Sequence, residues 1–135
     1  MNKLVFKTGS HHYLIDLEQD EQYTLLFEEN SKGSLFLETD GKGQVDIDYD
    51  FEPNSDWNIL VLNRSNSTLI INENINLKEH AILSMNYGEL SYGKHTKKSI
   101  INFLGFKSKA DFNAAILSFN SIKWDIIAHH QAKSS

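Results

Sequence analysis

Six histidines are the side chains of this 135-residue sequence best suited to metal binding or proton transfer: His11, His12, His80, His95, His129 and His130. Four of them form two adjacent pairs, and adjacent residues of a β-strand point to opposite faces of its sheet. Neither pair can therefore chelate one ion, and a metal site would need a histidine from each of several strands. The sequence has no cysteine, so thiolate ligation of a metal or an iron–sulfur cluster by this chain is excluded.

Three aspartates, Asp46, Asp48 and Asp50, are spaced like the first ligands of a calcium-binding loop. The pattern then fails, because Phe51 stands where an EF-hand loop needs glycine and Trp57 stands where it needs glutamate. We expect these carboxylates to line the solvent face of a strand, where like charges discourage pairing at a sheet edge.

Three common catalytic and phosphate-binding patterns are absent from the sequence. The sequence lacks the phosphate-binding pattern G-x-x-x-x-G-K-[ST], the nucleophile pattern G-x-S-x-G and the zinc pattern H-E-x-x-H. Gly41-Lys42-Gly43 is too short to form a phosphate loop. We therefore expect a protein that is not an enzyme, with no catalytic residue and no tightly bound cofactor.

Composition and charge limit the partners and the compartment. Thirteen basic and 18 acidic residues give a net charge of −5, which repels nucleic acid. No apolar run approaches the roughly 18 residues of a membrane span. Lys7, the His11–His12 pair and Asp16 interrupt the N-terminus where a secretory signal needs an apolar stretch. We expect no nucleic-acid partner, no membrane partner and a cytoplasmic protein.

The elements that must position these residues are short β-type runs about ten residues apart, separated by Asn, Ser, Gly and Asp clusters. The runs are residues 4–7, 13–17, 23–28, 34–38, 45–49, 58–62, 68–72, 81–87, 99–104, 113–119 and 122–128. Two stretches, 75–83 and 110–117, could instead form short helical turns. Residues 1–135 are too few for two ordinary cores, so we expect one all-β domain.

Two architectures fit these strands. Continuous apolar runs such as Ile59-Leu60-Val61-Leu62 and Leu69-Ile70-Ile71 suit parallel strands stacked around a narrow core, and asparagine tolerates the left-handed conformation of solenoid corners. They favour a β-solenoid. A β-sandwich or jelly roll is the alternative.

The C-terminal third, SIINFLGFKSKADFNAAILSFNSIKWDIIAHHQAKSS, has a distinctive order of features. An apolar strand closes in Leu104-Gly105, strands follow at 113–119 and 122–128, and the last leads into histidine, Gln131-Ala132-Lys133 and a serine pair. This order resembles the core of the SufB/SufD family, the scaffold proteins of the SUF iron–sulfur cluster assembly system. The resemblance covers residues 57–135 best.

The resemblance implies a right-handed parallel β-helix, wound as a single-stranded solenoid. Members of the family pair through their β-helices and bind the ATPase SufC, and the complex assembles an iron–sulfur cluster. SufB-type members supply cysteine ligands, and SufD-type members supply a histidine near the interface. A chain without cysteine is similar to the SufD side, and His130 matches the family histidine, with His129 as the competing registration.

The expected function is therefore that of a non-catalytic component of a SufBCD-like scaffold, with a SufB-like subunit as partner. A transient iron–sulfur cluster would lie at the subunit interface, with His130 as its ligand from this chain. Lys123 and Lys133 depart from the family pattern, which has an acidic residue and proline there.

The chain also stops at Ser135, where the family continues into its SufC-binding helices. We expect a fragment or a reduced version of a longer SufD-like chain. The resemblance implies a SufC-like ATPase as a second partner, although this sequence lacks the helices that bind it in the family. An uncapped rung favours self-association, so a homo-oligomer is a further expectation.

Two other functions are open at this point. A β-sandwich or jelly-roll module could bind a sugar or another small ligand with Trp57, Trp124 and tyrosines lining the site. A metalloenzyme of cupin type would need converging histidines in a barrel, and the sequence lacks its clustered H-x-H with a downstream glutamate.

Overall fold

Residues 2–118 and 122–130 are described by a computed structural model, and they contain eleven β-strands and no helix. The strands are β1 Asn2–Phe6, β2 Gly9–Leu17, β3 Glu21–Phe27, β4 Lys32–Gly41, β5 Gly43–Phe51, β6 Asp56–Ser65, β7 Leu69–Leu77, β8 Ile82–Ser91, β9 His95–Phe103, β10 Lys109–Ser118 and β11 Ile122–His130. Each predicted run falls wholly or largely within one of them. Phe119 and residues 131–135 of the predicted pattern lie outside the described residues. No described segment is a helix that could cross a membrane.

The strands wind into a parallel β-helix with two strands in each turn. Odd-numbered strands form one sheet in the order β1-β3-β5-β7-β9-β11, and even-numbered strands form the other in the order β10-β8-β6-β4-β2. All nine strand pairings are parallel. The solenoid prediction is confirmed. The β-sandwich and the jelly roll are wrong for these residues, because both are built from antiparallel neighbours.

The two predicted helical turns are also wrong. Residues 75–83 contain the end of β7, a chain reversal and the start of β8, and residues 110–117 lie within β10. In β7 the buried positions alternate strictly from Leu69 to Leu77, so Ile75 and Leu77 continue a two-residue period. The apolar spacing that could pass for a helix comes from two strands on either side of a corner.

The core lies between the inward faces of the two sheets. Parallel pairing in register stacks each inward side chain on its counterpart in the next turn. One such row contains Phe6, Phe27, Phe51, Leu77 and Phe103. The Phe27 and Phe51 rings stack at 4.4 Å, and Phe6 stacks on Phe27 at 5.1 Å. This aromatic row fills the core along one side of the solenoid.

The corner that leads from each odd-numbered strand to the next even-numbered strand repeats one backbone conformation in four turns. Its second-last residue has positive φ each time, at Asn30, Asn54, His80 and Lys107. A small, buried residue follows each time: Ser31, Ser55, Ala81 and Ser108. The predicted use of asparagine at corners is confirmed at two of the four positions.

Gly33 offers a test of the tight stacking between turns. A Cβ there would overlap the carbonyl oxygen of Gly9 and lie 2.9 Å from the buried ring of Trp57. We expect Gly33→Ala to lower the free energy of unfolding by about 1–3 kcal/mol, as overpacking does. The measurement is urea unfolding of the whole chain.

Gly88→Ala is the matched control, because the nearest atom to its Cβ would be the end of the flexible Leu62 side chain, at 3.2 Å. This change should stay within about 0.5 kcal/mol. Equal losses in the two variants would contradict the packing of the turns described above.

Candidate functional site

His130, the predicted ligand, is the last residue of β11, and His129 precedes it on the opposite face. Register places His130 beside Phe103, in the inward row, and His129 beside Asn102, in the outward row. The His130 ring stacks on Phe103 at 4.5 Å with an interplanar angle of 4°. His130 therefore extends the aromatic row of the core by one turn, and its exposed ring is held in a defined plane.

The inward rows of β10 and β11 form an exposed apolar surface, here called the end face: Ala114, Ile116, Ile126, Ala128 and His130. Ile126 is 57% exposed and Ile116 is 51% exposed, although their register positions face inward. No described strand lies beyond β10 and β11 in either sheet. The end face therefore carries core-type residues that the described part of the chain leaves in solvent.

The described residues contain no group of three or more histidine, aspartate or glutamate side chains that could hold a metal ion. In this part of the chain, His130 can supply only one ligand to iron, through a ring nitrogen.

The three aspartates lie on the outer face of the odd-strand sheet, but not at an edge. β5 is flanked by β3 and β7. Asn72, Asn74 and Asn76 of β7 donate side-chain hydrogen bonds to Asp46, Asp48 and Asp50 at 3.0, 3.2 and 2.9 Å. The predicted role in discouraging edge pairing is therefore wrong, since these carboxylates join two interior strands.

A cluster of charged and polar side chains is buried inside the coil, between β6–β9 and β11. Its members are Asn63, Glu73, Tyr87, Glu89, His95, Lys97 and Ser99, with Trp124 against one side. Each of the four ionisable side chains other than tyrosine is at most 3% exposed. Charges this deep in a small core are tolerated only when they are paired and hydrogen-bonded.

Lys97 holds the two carboxylates of this cluster together. Its Nζ lies 3.2 Å from Glu89 Oε1 and 3.8 Å from Glu73 Oε1. The same ammonium lies 3.6 Å from the centre of the Tyr87 ring and 4.5 Å from that of Trp124. The carboxylates and the aromatic faces together replace the water that the ammonium has lost.

Hydroxyl and indole groups complete the cluster around Glu73. Tyr87 Oη and Ser99 Oγ donate to Glu73 Oε1 at 2.6 and 2.7 Å, and Trp124 Nε1 donates to Ser99 Oγ at 2.9 Å. Burial, and then the charge of Glu73, raises the pKa of Tyr87 well above its usual value, so the phenol stays protonated as the donor.

Glu89 is ionised despite its burial. Burial alone would raise the pKa of Glu89, but His95, Lys97 and Asn63 outweigh it and hold that pKa below its ordinary value. Asn63 Nδ2 donates to Glu89 Oε1 at 2.6 Å. His95 Nδ1 lies 3.8 Å from Glu89 Oε2, which is too long for a hydrogen bond.

This cluster was not predicted from the sequence. A signal exists in the alternation: the inward phase of β7 continues through Glu73, and that of β9 runs through His95, Lys97 and Ser99. Because these inward side chains are polar, a pattern search based on hydrophobicity does not assign them to the inward face.

Neither tryptophan lines a ligand site of the predicted sugar-binding kind. Trp57 is fully buried, and its Nε1 donates to Ser31 Oγ at 2.8 Å. Trp124 packs against the buried cluster, edge-to-face with Tyr87 at 4.9 Å. The cupin alternative fails as well, because the described strands form a coil rather than a barrel.

No protein-family model, no curated protein and no solved structure matches this chain.

Replacing the central cation tests the buried cluster. Lys97→Met keeps the length of the side chain but leaves Glu73 and Glu89 buried without an ammonium. We expect a loss of about 3–5 kcal/mol in the free energy of unfolding, the usual cost of breaking a buried ion pair. Lys98→Met, at an exposed position one residue on, should change stability by less than about 0.5 kcal/mol. Similar results for both variants in urea unfolding would place Lys97 in solvent.

The pKa of Glu89 predicts how stability depends on pH. A carboxyl whose pKa is lowered by folding stabilises the protein above its unfolded pKa, about 4.3, and this contribution is lost as the pH falls through the folded pKa. Glu89→Gln should therefore be less stable than the parent chain at pH 7, and the difference should shrink towards pH 3. Urea unfolding at both pH values measures it, and a difference independent of pH would contradict the ionised state.

Proposed function

We propose that this chain is a non-catalytic scaffold subunit of an iron–sulfur cluster assembly complex of the SufBCD type, pairing through its β-helix with a SufB-like subunit. The observation that carries the proposal is the end of the parallel β-helix. There an exposed apolar face and an imidazole held on Phe103 lie side by side. The resemblance of residues 57–135 to the SufB/SufD family supplies the identity of the partner.

The end face suits a protein partner of the same architecture. Interior-type side chains such as Ile116 and Ile126 gain about 25 cal/mol for each Å² that a partner covers. A related β-helix offers a matching row spacing, because strands of any parallel sheet are about 4.8 Å apart. A second copy of this chain would meet the same requirement and is the competing occupant.

His130 is suited to a transient, shared ligand role. A neutral imidazole binds iron and replaces thiolate in some clusters, and its exposed position leaves room for ligands from a partner. The cluster is the cargo of the complex, and the chain contributes a rigid surface and one ligand. ATP hydrolysis would belong to a SufC-like subunit.

The histidine pair provides a matched test. Mixed with a SufB-like subunit, iron and sulfide under anaerobic conditions, the parent chain should form a co-eluting complex that carries a cluster. His130→Ala should lose most of the cluster while the complex still forms. His129→Ala should retain it, because His129 lies in the outward row. Iron content and visible absorbance of the eluted complex measure the outcome.

Two results would overturn the proposal. One is the absence of any complex with a SufB-like subunit at micromolar concentrations. The other is a complex whose cluster content is unaffected by His130→Ala.

A further inference from the structure

β11 is buried far less than the interior strands of its sheet. Seven of its nine residues are exposed, and only Ile122 and Trp124 are half-buried. By contrast, every second residue is buried in β5 from Val45 onward and in β7 from Leu69 onward. The backbone of β11 nevertheless pairs with β9 along its whole length, from Ile122 to His130. Backbone pairing and very few buried side chains therefore hold β11 in place.

Trp124 is the main side-chain anchor of β11. Its indole packs edge-to-face on Tyr87, lies 4.5 Å from Lys97 Nζ and donates a 2.9 Å hydrogen bond to Ser99 Oγ. The inward residues beyond it, Ile126 and Ala128, are exposed. Trp124 is thus the half-buried aromatic side chain of the strand, while the His130 ring stacks on Phe103 as an exposed residue at the far end.

The polar side chains beneath β11 lower the free-energy cost of exposing the surface that β11 covers. When Trp124 leaves, the groups that meet water are the Tyr87 ring, Lys97 and Ser99, and the charged group regains hydration. The other end of the same sheet is different. There β1 covers Phe27 through Phe6, so its departure would expose an aromatic core. The inward row beneath β11, which includes His95, Lys97 and Ser99, is therefore more polar than the row of Tyr23, Leu25 and Phe27 beneath β1.

We propose that β11 opens as a local unit, separately from β3–β9, with Trp124 as the anchor that governs the opening. Opening would hydrate the buried charged cluster and carry His130 away from Phe103. This property goes beyond the proposed scaffold function and needs neither iron nor a partner, so the two can fail independently.

Native-state hydrogen exchange of the whole chain tests the proposal. Local opening exposes little surface, so exchange of β11 amides should depend weakly on denaturant and be at least about 100-fold faster than that of β7 amides. Acrylamide quenching gives a second reading. Trp57 is fully buried, so the quenched fluorescence reports Trp124.

Two variants in β11 test whether Trp124 anchors the strand or contributes only ordinary packing. Trp124→Ala should speed exchange of β11 by at least about tenfold and leave β5 and β7 unchanged, because its aromatic contact and indole hydrogen bond are lost. Ile127→Ala is the control, since Ile127 lies on the outward face, and it should change exchange less than about threefold.

The proposal is overturned if β7 and β11 of the parent chain exchange at one common rate with the same strong denaturant dependence. It is also overturned if Trp124→Ala accelerates β5 and β7 as much as β11, because Trp124 would then be a residue of the general core.

Discussion

The parallel, in-register pairing of each strand with the strand one turn further on is the constraint on which the rest of the structure depends. It sets one side chain on its counterpart 21 to 27 residues later, as Phe6 on Phe27 and Ile82 on Lys109. A side chain therefore has two kinds of neighbour, the one across the core and the one stacked in its own row. The Phe27–Phe51 stack, the Asp46–Asn72 bond and the Glu73–Ser99 bond are all row contacts.

Much of the fold was readable from the sequence because strands and corners are local. Alternation and turn residues marked all eleven strands, and continuous apolar runs such as that of β6 favoured parallel stacking. Row contacts are not local. Nothing near Asp48 indicates that Asn74 will bond to it, because that contact exists only once the register between β5 and β7 is fixed. The same limit applied to the histidine pair: period two predicts opposite faces, but only the pairing with Phe103 assigns His130 to the inward one.

The buried cluster was missed for a related reason. Lys97 and Lys98 are adjacent and chemically identical, and one is fully buried while the other is exposed. Their environments differ because Lys97 continues the inward row of Val45 and Ile71, whereas Lys98 continues the outward row of Asp46 and Asn72. Charge marks a residue as exposed in any reading based on hydrophobicity, so an inward lysine is assigned to the wrong face unless its row is known.

The buried charges also favour one strand register over the others that a coil of similar turns could adopt. If β9 slipped by one turn and paired with β5, Lys97 would lie beside Val45, and Glu73 would lose both Lys97 and Ser99. Each unpaired charge in the core costs several kcal/mol, so the slipped arrangement is strongly disfavoured, whereas an apolar row would tolerate it. The cluster therefore has two different effects, one on folding and one on the opening of β11. Its charges penalise a wrong register while the coil forms, and their affinity for water lowers the free-energy cost of uncovering them when β11 opens.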